Sequence, residues 1–246
     1  MAGMQVAAIM MWSISPPPLL IRVGLKTALA QNSSGGGSSS FQWMKRQQND
    51  PLVKKAQDEG YRARSAYKLL EIDAKHKLLT PGQILLECGA APGAWTQVAV
   101  KALKEEGRIL AVDLLPIEPI DGAELLPEMD FTAKRTQAEL KRRLDGQLAD
   151  LVLSDMAPNA SGNRSLDHAA IVKLAYSALR FSVLHSRVGA SFLCKIWHGE
   201  RTEHLVVDLK KFYKEVHRIK PDSSRIESSE IFLLARGFRG MQKKQQ

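Results

Sequence analysis

From residue 83 onward the chain repeats one arrangement: a short apolar run, a loop, then a longer stretch with apolar residues at helical spacing. The apolar runs are "QILLEC" (83–88), "RILAVDLLP" (108–116), "ADLVLSDMAPN" (149–159), "GASFLCKIW" (189–197) and "SSEIFLLARGF" (228–238), with one more short strand expected to end near Met129 and Asp130. The helical stretches are "AWTQVAVKALKEEG", closed by Gly107, then "AKRTQAELKRRLDG", "SLDHAAIVKLAYSALRFSVLHS" with Ser165 as its cap, and "RTEHLVVDLKKFYKEV". Unalternating apolar strands are covered on both faces, and strands joined through helices run parallel. One α/β domain is therefore expected: a doubly wound, mostly parallel sheet with helices on both faces. Ahead of it, "GYRARSAYKLLEIDAKHKLL" (60–79) has helical spacing and stops at the turn "TPG".

The first of these strands leads into "LLECGAAPGAW" (85–95), where small residues fill one strand-to-helix turn. In an open α/β sheet such a turn lies at the carboxyl edge, where ligands bind, so close approach of a ligand to its backbone is expected. The turn is not G-x-G-x-x-G, and no G-x-x-x-x-G-K-[ST] pattern occurs, which argues against dinucleotide and nucleoside triphosphate cradles. Asp113 ends the next strand, where an acid grips a ribose diol, and Asp130 ends the third, where it can accept from an adenine amino group. An adenosine without phosphates points to S-adenosylmethionine.

Lys195 is the odd residue of "GASFLCKIW", because an isolated charge is not tolerated among apolar residues. Either it closes the strand and reaches water along its stem, or it meets counter-charges. Asp155 ends a neighbouring strand, Glu230 begins the last one, and Lys68 lies in a helix rich in Tyr and Arg. Burial and a second cation favour a neutral amine, whereas a carboxylate favours the charged one.

The formal net charge of +9 suits an anionic partner, RNA among them. Four of the basic residues, Arg22, Lys26, Lys45 and Arg46, precede the first acid at Asp50. Residues 1–40 stand apart from the core pattern: an acid-free, sparsely basic segment ends in the flexible linker "QNSSGGGSSS". Pro16, Pro17 and Pro18 break what a secretory signal would keep apolar, and the composition matches a mitochondrial transit peptide. No apolar run approaches the roughly 18 residues of a membrane span. Cys88 and Cys194, the only cysteines, are expected to be buried free thiols, too few for a structural zinc site.

Between Phe41 and Phe238 the stretches "YKLLEI", "GAAPGAW", "VDLLPIEPI", "LSDMAPNASG", "FLCKIW" and "KPDSSRIESSE" occur in order. Together they closely resemble the FtsJ/RrmJ family of ribose 2'-O-methyltransferases. The resemblance implies a Rossmann-like S-adenosylmethionine-dependent methyltransferase domain over 41–240 with a seven-stranded sheet, followed by a polar tail, 241–246. It implies a catalytic tetrad of Lys68, Asp155, Lys195 and Glu230, with Lys195 as base or activator of the hydroxyl. It also implies a cofactor pocket formed by Gly89, Pro92, Gly93, Ala94, Trp95, Asp113, Asp130 and Asp155. Trp95 is either pocket wall or core, and Glu87, where many relatives carry Asp, is a weaker pocket candidate. No metal is required by this chemistry.

With the acid-poor leader, the resemblance is strongest to the mitochondrial branch, acting in the matrix on a uridine of large-subunit rRNA in the assembling large ribosomal subunit. RNA contact is expected from Lys54, Lys55, Arg62 and Arg64, interleaved with Tyr61 and Tyr67, and from Arg225. The alternatives are a non-catalytic rRNA-binding assembly factor and a 2'-O-methyltransferase acting on tRNA.

Overall fold

The structure, a computed structural model, describes residues 50–241. The expected leader and linker (1–40), the first residues of the expected domain (41–49) and the tail after residue 241 lie outside the described residues.

The chain forms α1 (Pro51–Asp58), α2 (Ala66–His76), β1 (Ile84–Cys88), α3 (Ala94–Leu103), β2 (Arg108–Val112), β3 (Glu124–Leu126), α4 (Lys134–Leu144) and β4 (Ala149–Ser154). It continues through α5 (Arg164–His185), β5 (Ser186–Trp197), α6 (Thr202–Phe212), β6 (Tyr213–Ile219) and β7 (Glu230–Phe238). The seven strands make one sheet in the order β3-β2-β1-β4-β5-β7-β6, parallel except that β7 runs against both neighbours.

Alternation along the strands builds two cores. Leu85, Ile109, Leu151, Leu153, Leu193, Phe232 and Leu234 face Leu69, Ile72, Trp95 and Val98 of α2 and α3. Their neighbours Leu86, Leu110, Val112, Val152, Phe192, Ile196 and Leu233 face Leu140, Phe181, Leu205 and Leu209 on α4, α5 and α6. The pleat therefore puts Asp155, Lys195 and Glu87 on the α2–α3 side, each two residues beyond a leucine of that face. Cys88 and Cys194 are free and fully buried, and burial pushes the Cys194 thiol up to about 12.

The local departures from expectation have local causes. Helix α5 is capped by Asn163, whose side chain accepts from the amides of Ser165 and Leu166, so Ser165 is already inside the first turn. Helix α3 ends at Leu103, with Lys104 at positive φ, three residues before Gly107. Strand β3 stops at Leu126, and Met129 and Asp130 lie in the loop beyond it. "YKEV" does not extend α6; it opens β6, an edge strand paired with β7. Asp50 and Pro51 start α1 as N-cap and first helical residue, and the expected helix at 60–79 begins only at Ala66.

Candidate active site

Strand order reverses between β1 and β4, and the cleft opens at their carboxyl ends, as expected for this class of sheet. Its volume is about 420 Å³, and it is lined by Gly89, Asp113, Asp130, Asp155, Met156 and Lys195 among others. The size is that of a small-molecule site.

Protein atoms already crowd the turn after β1. Gly89 has φ +82°, and a Cβ there would sit 2.6 Å from the Met156 amide nitrogen in the loop after β4. At Gly93, φ is +108° and a Cβ would meet Ile120 Cδ1 at 2.7 Å and Arg62 Nη1 at 2.8 Å. Pro92, Gly93, Ala94 and Trp95 do not line the cleft with side chains. Trp95 is 2% exposed, donates from Nε1 to the Ser65 carbonyl at 2.8 Å and packs on Phe232, so its ring belongs to the core. What these residues can offer a ligand is backbone, because the first amides of α3 have no acceptor within the helix.

Asp113 accepts from the amides of Ala91 and Leu115, both at 2.8 Å, one on each carboxylate oxygen. That ties the β1 turn to the loop after β2 and leaves further lone pairs toward the cleft. Asp130 Oδ1 accepts from the Thr132 amide at 2.8 Å and its hydroxyl at 2.7 Å, leaving Oδ2 without a partner among the described residues.

Two lysine–carboxylate pairs stand on the α2–α3 side of the same edge. Lys195 Nζ is 2.8 Å from Asp155 Oδ1 and donates to the Asp155 carbonyl at 2.6 Å. Lys68 Nζ, reaching down from α2, is 2.5 Å from Glu230 Oε1, which also accepts from Ser224 Oγ at 3.1 Å. Phe232 links the pairs: it is the cross-strand partner of Lys195, and its ring lies 6.0 Å from Lys68 Nζ. All four expected tetrad residues are thus gathered on one face of one edge. Lys195 is the single cation among the residues lining the cleft, and it is already paired with a carboxylate. A cleft with three acids and no free cation suits a cationic, phosphate-free ligand.

Some supporting residues were not singled out from the sequence. Ser224 falls within "KPDSSRIESSE" but carries no local sign of its bond to Glu230. His168 of α5 bonds the Trp197 carbonyl through Nδ1 at 2.9 Å and accepts from the Arg201 amide at Nε2 at 3.0 Å. Those partners put its proton on Nδ1, and the ring fixes the loop that follows Lys195.

Glu87 lies behind the cleft rather than in its wall. It is fully buried, Oε2 accepts from Thr96 Oγ1 at 2.7 Å, and Oε1 has no partner among the described residues. Burial raises its carboxyl from 4.5 to about 8, with Asp155 and Asp113 adding to the rise and the Thr96 bond opposing it. A folded-state value above the unfolded one makes the native state hold the extra proton, so stability falls as pH rises from about 4.5 to about 8. Glu87→Gln keeps the acceptor for Thr96 and removes the titration. Denaturant unfolding at pH 5 and pH 8 should show the variant losing less stability over that interval than the unaltered protein. Equal losses would mean that Glu87 is ionised in the native state.

The expected RNA-contact residues divide. Arg62 is not available for a phosphate: it donates to the carbonyls of Pro92 at 3.0 Å, Glu118 at 2.8 Å and Pro119 at 2.8 Å, clamping the β1 turn to the loop after β2. Arg64, 16% exposed in its side chain, pairs with Asp50 and donates to the Ser223 carbonyl, so it too is structural. Arg225 is half-occupied by Asp50 at 3.2 Å. Tyr67 is buried with its hydroxyl on Glu59, and Lys101 Nζ lies 4.1 Å from the Tyr61 ring centroid, so neither tyrosine is an open stacking platform. Lys55 sits 3.8 Å from Glu59 and 4.8 Å from the Tyr67 ring centroid, whereas Lys54 is exposed and has no partner among the described residues.

Among the described residues no helix is long and apolar enough to cross a membrane, and no group of three or more His, Cys, Asp or Glu could hold a metal ion.

The FtsJ-like methyltransferase family model matches residues 61–238. The chain is 43% identical over 228 residues to a Drosophila melanogaster protein named mitochondrial rRNA methyltransferase 2, covering 89% of this chain and 91% of that one. It is 44% identical over 226 residues to ribosomal RNA large subunit methyltransferase E of Xanthobacter autotrophicus, covering 91% and 85%. A solved Plasmodium falciparum structure described as a ribosomal RNA methyltransferase superposes with a TM-score of 0.67 at 30% identity, over 74% of this chain and all of that one.

Proposed function

The chain belongs to the FtsJ-like methyltransferase family, and from that membership we propose that it methylates the ribose 2'-oxygen of a uridine in mitochondrial large-subunit rRNA, using S-adenosylmethionine. It is a methyltransferase with the seven-stranded Rossmann-like fold of such enzymes. The observation that carries the finer reading is the pairing of Lys195 with Asp155 and Lys68 with Glu230 beside an acid-lined cleft. Support for the mitochondrion comes from the name of the Drosophila relative and from the acid-free first 49 residues.

When bound, S-adenosylmethionine supplies an electrophilic methyl group on a positively charged sulfur. Asp113 would accept from its ribose hydroxyls, Asp130 from its adenine amino group, and the α3 amides would meet its carboxylate. With one ammonium proton first given up to solvent, Lys195 would orient the substrate 2'-hydroxyl and take up its proton as the methyl group passes from sulfur to oxygen. Asp155 fixes Lys195 through two contacts, and Glu230 with Ser224 fixes Lys68, so that neither amine has to be ordered during the reaction. Assembly of the large ribosomal subunit is the process this modification would serve.

The test is to incubate the full chain with methyl-labelled S-adenosylmethionine and under-methylated mitochondrial large-subunit rRNA, then map the label. Label on one uridine 2'-oxygen is the expected result. RNA binding without label would favour a non-catalytic assembly factor, and label on tRNA alone would move the substrate.

A further inference from the structure

Because β7 runs antiparallel to β5 and β6, the loop from Lys220 to Ser229 lies on the carboxyl edge that carries Lys195 and Glu230. It is held from several sides. Lys220 Nζ donates to the carbonyls of Ser228 at 3.0 Å and Ile226 at 3.4 Å, and both Glu71 oxygens accept from the Ser223 amide at 3.1 and 3.2 Å. Arg64 donates to the Ser223 carbonyl, Arg225 reaches Asp50, and the His198 amide donates to the Ser229 carbonyl at 2.7 Å. At the tip of this tethered loop stands Ile226, 95% exposed.

A single exposed aliphatic residue is ordinary on a protein surface. One presented by a loop with this many anchors is different, since the backbone is already ordered and the β-branched side chain has few rotamers to lose on contact. Ile226 is four residues from Glu230, at most about 14 Å along the chain. A nucleotide adjoining one whose ribose sits at the two lysines falls within that reach. The cation beside the loop tip, Arg225, is already drawn toward Asp50 at 3.2 Å, and the residue after Ile226, Glu227, is an exposed acid. Apolar surface beside an acceptor suits a base, and aliphatic side chains do serve as wedges against unstacked bases.

We infer that Ile226 packs against the face of a nucleobase flanking the methylated ribose, and so holds the RNA strand open at the active edge. This rests on the 2'-O-methyltransferase reading above. It makes Ile226 a substrate-positioning residue that acts on RNA affinity and not on the chemical step.

The experiment compares the full-length protein with Ile226→Ala and Ile226→Leu, on deproteinised under-methylated rRNA and on immature large subunits. With Ala, the KM for deproteinised RNA rises about 5- to 10-fold, as expected for losing one apolar side chain from a contact. The kcat, the KM for S-adenosylmethionine and the unfolding midpoint stay unchanged, and Leu restores most of the RNA affinity. An unchanged RNA KM in Ile226→Ala overturns the inference. So does an effect seen on immature subunits but absent with deproteinised RNA, which would assign Ile226 to a protein contact. If the unaltered protein labels no 2'-oxygen at all, the reaction assignment itself fails, and that outcome is distinct from an active enzyme indifferent to residue 226.

Discussion

Lys195→Ala lowers the rate of methyl transfer by about 1,000-fold, the middle of the range for losing a positioned proton acceptor. Lys195 is the one cation in the cleft wall among the described residues, and it is fixed by both the side chain and the carbonyl of Asp155. Removing it leaves Asp155 partly buried without its counter-charge, which by itself costs stability. The rate therefore has to be measured on protein shown to be folded, and Lys195→Met, which keeps the apolar stem, provides the second variant. Binding of S-adenosylmethionine, followed by calorimetry, should weaken little in either variant, because the expected cofactor contacts at Asp113 and Asp130 are untouched. Single-turnover methylation of RNA then isolates the chemical step. A near-normal rate in both folded variants would remove Lys195 from the mechanism.

Gly89→Ala is expected to be the most damaging single-atom change near the site. Its φ of +82° disfavours any L side chain, and the added Cβ would lie 2.6 Å from the Met156 amide nitrogen and 2.8 Å from its Cα. Both atoms are backbone and cannot rotate away, so the loops after β1 and β4 have to separate. Backbone strain and overpacking together cost about 2–4 kcal/mol, which lowers the midpoint of thermal unfolding by about 5–15 °C for a domain of this size. The same separation shifts Asp155, which follows β4 and whose amide donates to the Cys88 carbonyl at 3.0 Å, so cofactor affinity falls as well. An alanine variant that melts and binds like the original would show that the two loops are not held together at Gly89.

Both predictions concern residues whose place could be read from the sequence, and the reason is locality. A strand's apolar run, the acid at its end and the small residues of the following turn are adjacent in the chain, so Asp113, Asp155 and Lys195 could be set on one sheet edge from the strand–helix alternation, whereas Glu230, at the start of its strand, joins them only because β7 runs antiparallel. Strand β6 escaped because "YKEVHRI" is mostly polar and continues the spacing of α6; pairing with β7, not its own pattern, makes it a strand.

The roles of side chains whose partners are distant in sequence were not legible. Arg62 and Arg64 read as phosphate contacts because a guanidinium looks the same whether its acceptor is RNA or protein. Only the fold brings Glu118 and Pro119 to one, and Asp50 and Ser223 to the other. Likewise the glycines of "GAAPGAW" announced a close approach to a ligand, and only the fold shows that Met156, Ile120 and Arg62 also lie where a Cβ at Gly89 or Gly93 would be.

The sequence by itself determined the α/β alternation, the family motifs and which lysines and carboxylates lie at strand ends, because each depends on residues within a few positions of one another. The tertiary structure decided which cations remain free, which glycines are crowded by protein, and that Glu87 is fully buried, which raises its carboxyl. Hydrogen-bond satisfaction, steric contact and desolvation are properties of what surrounds a side chain, and those surroundings exist only once distant segments have met.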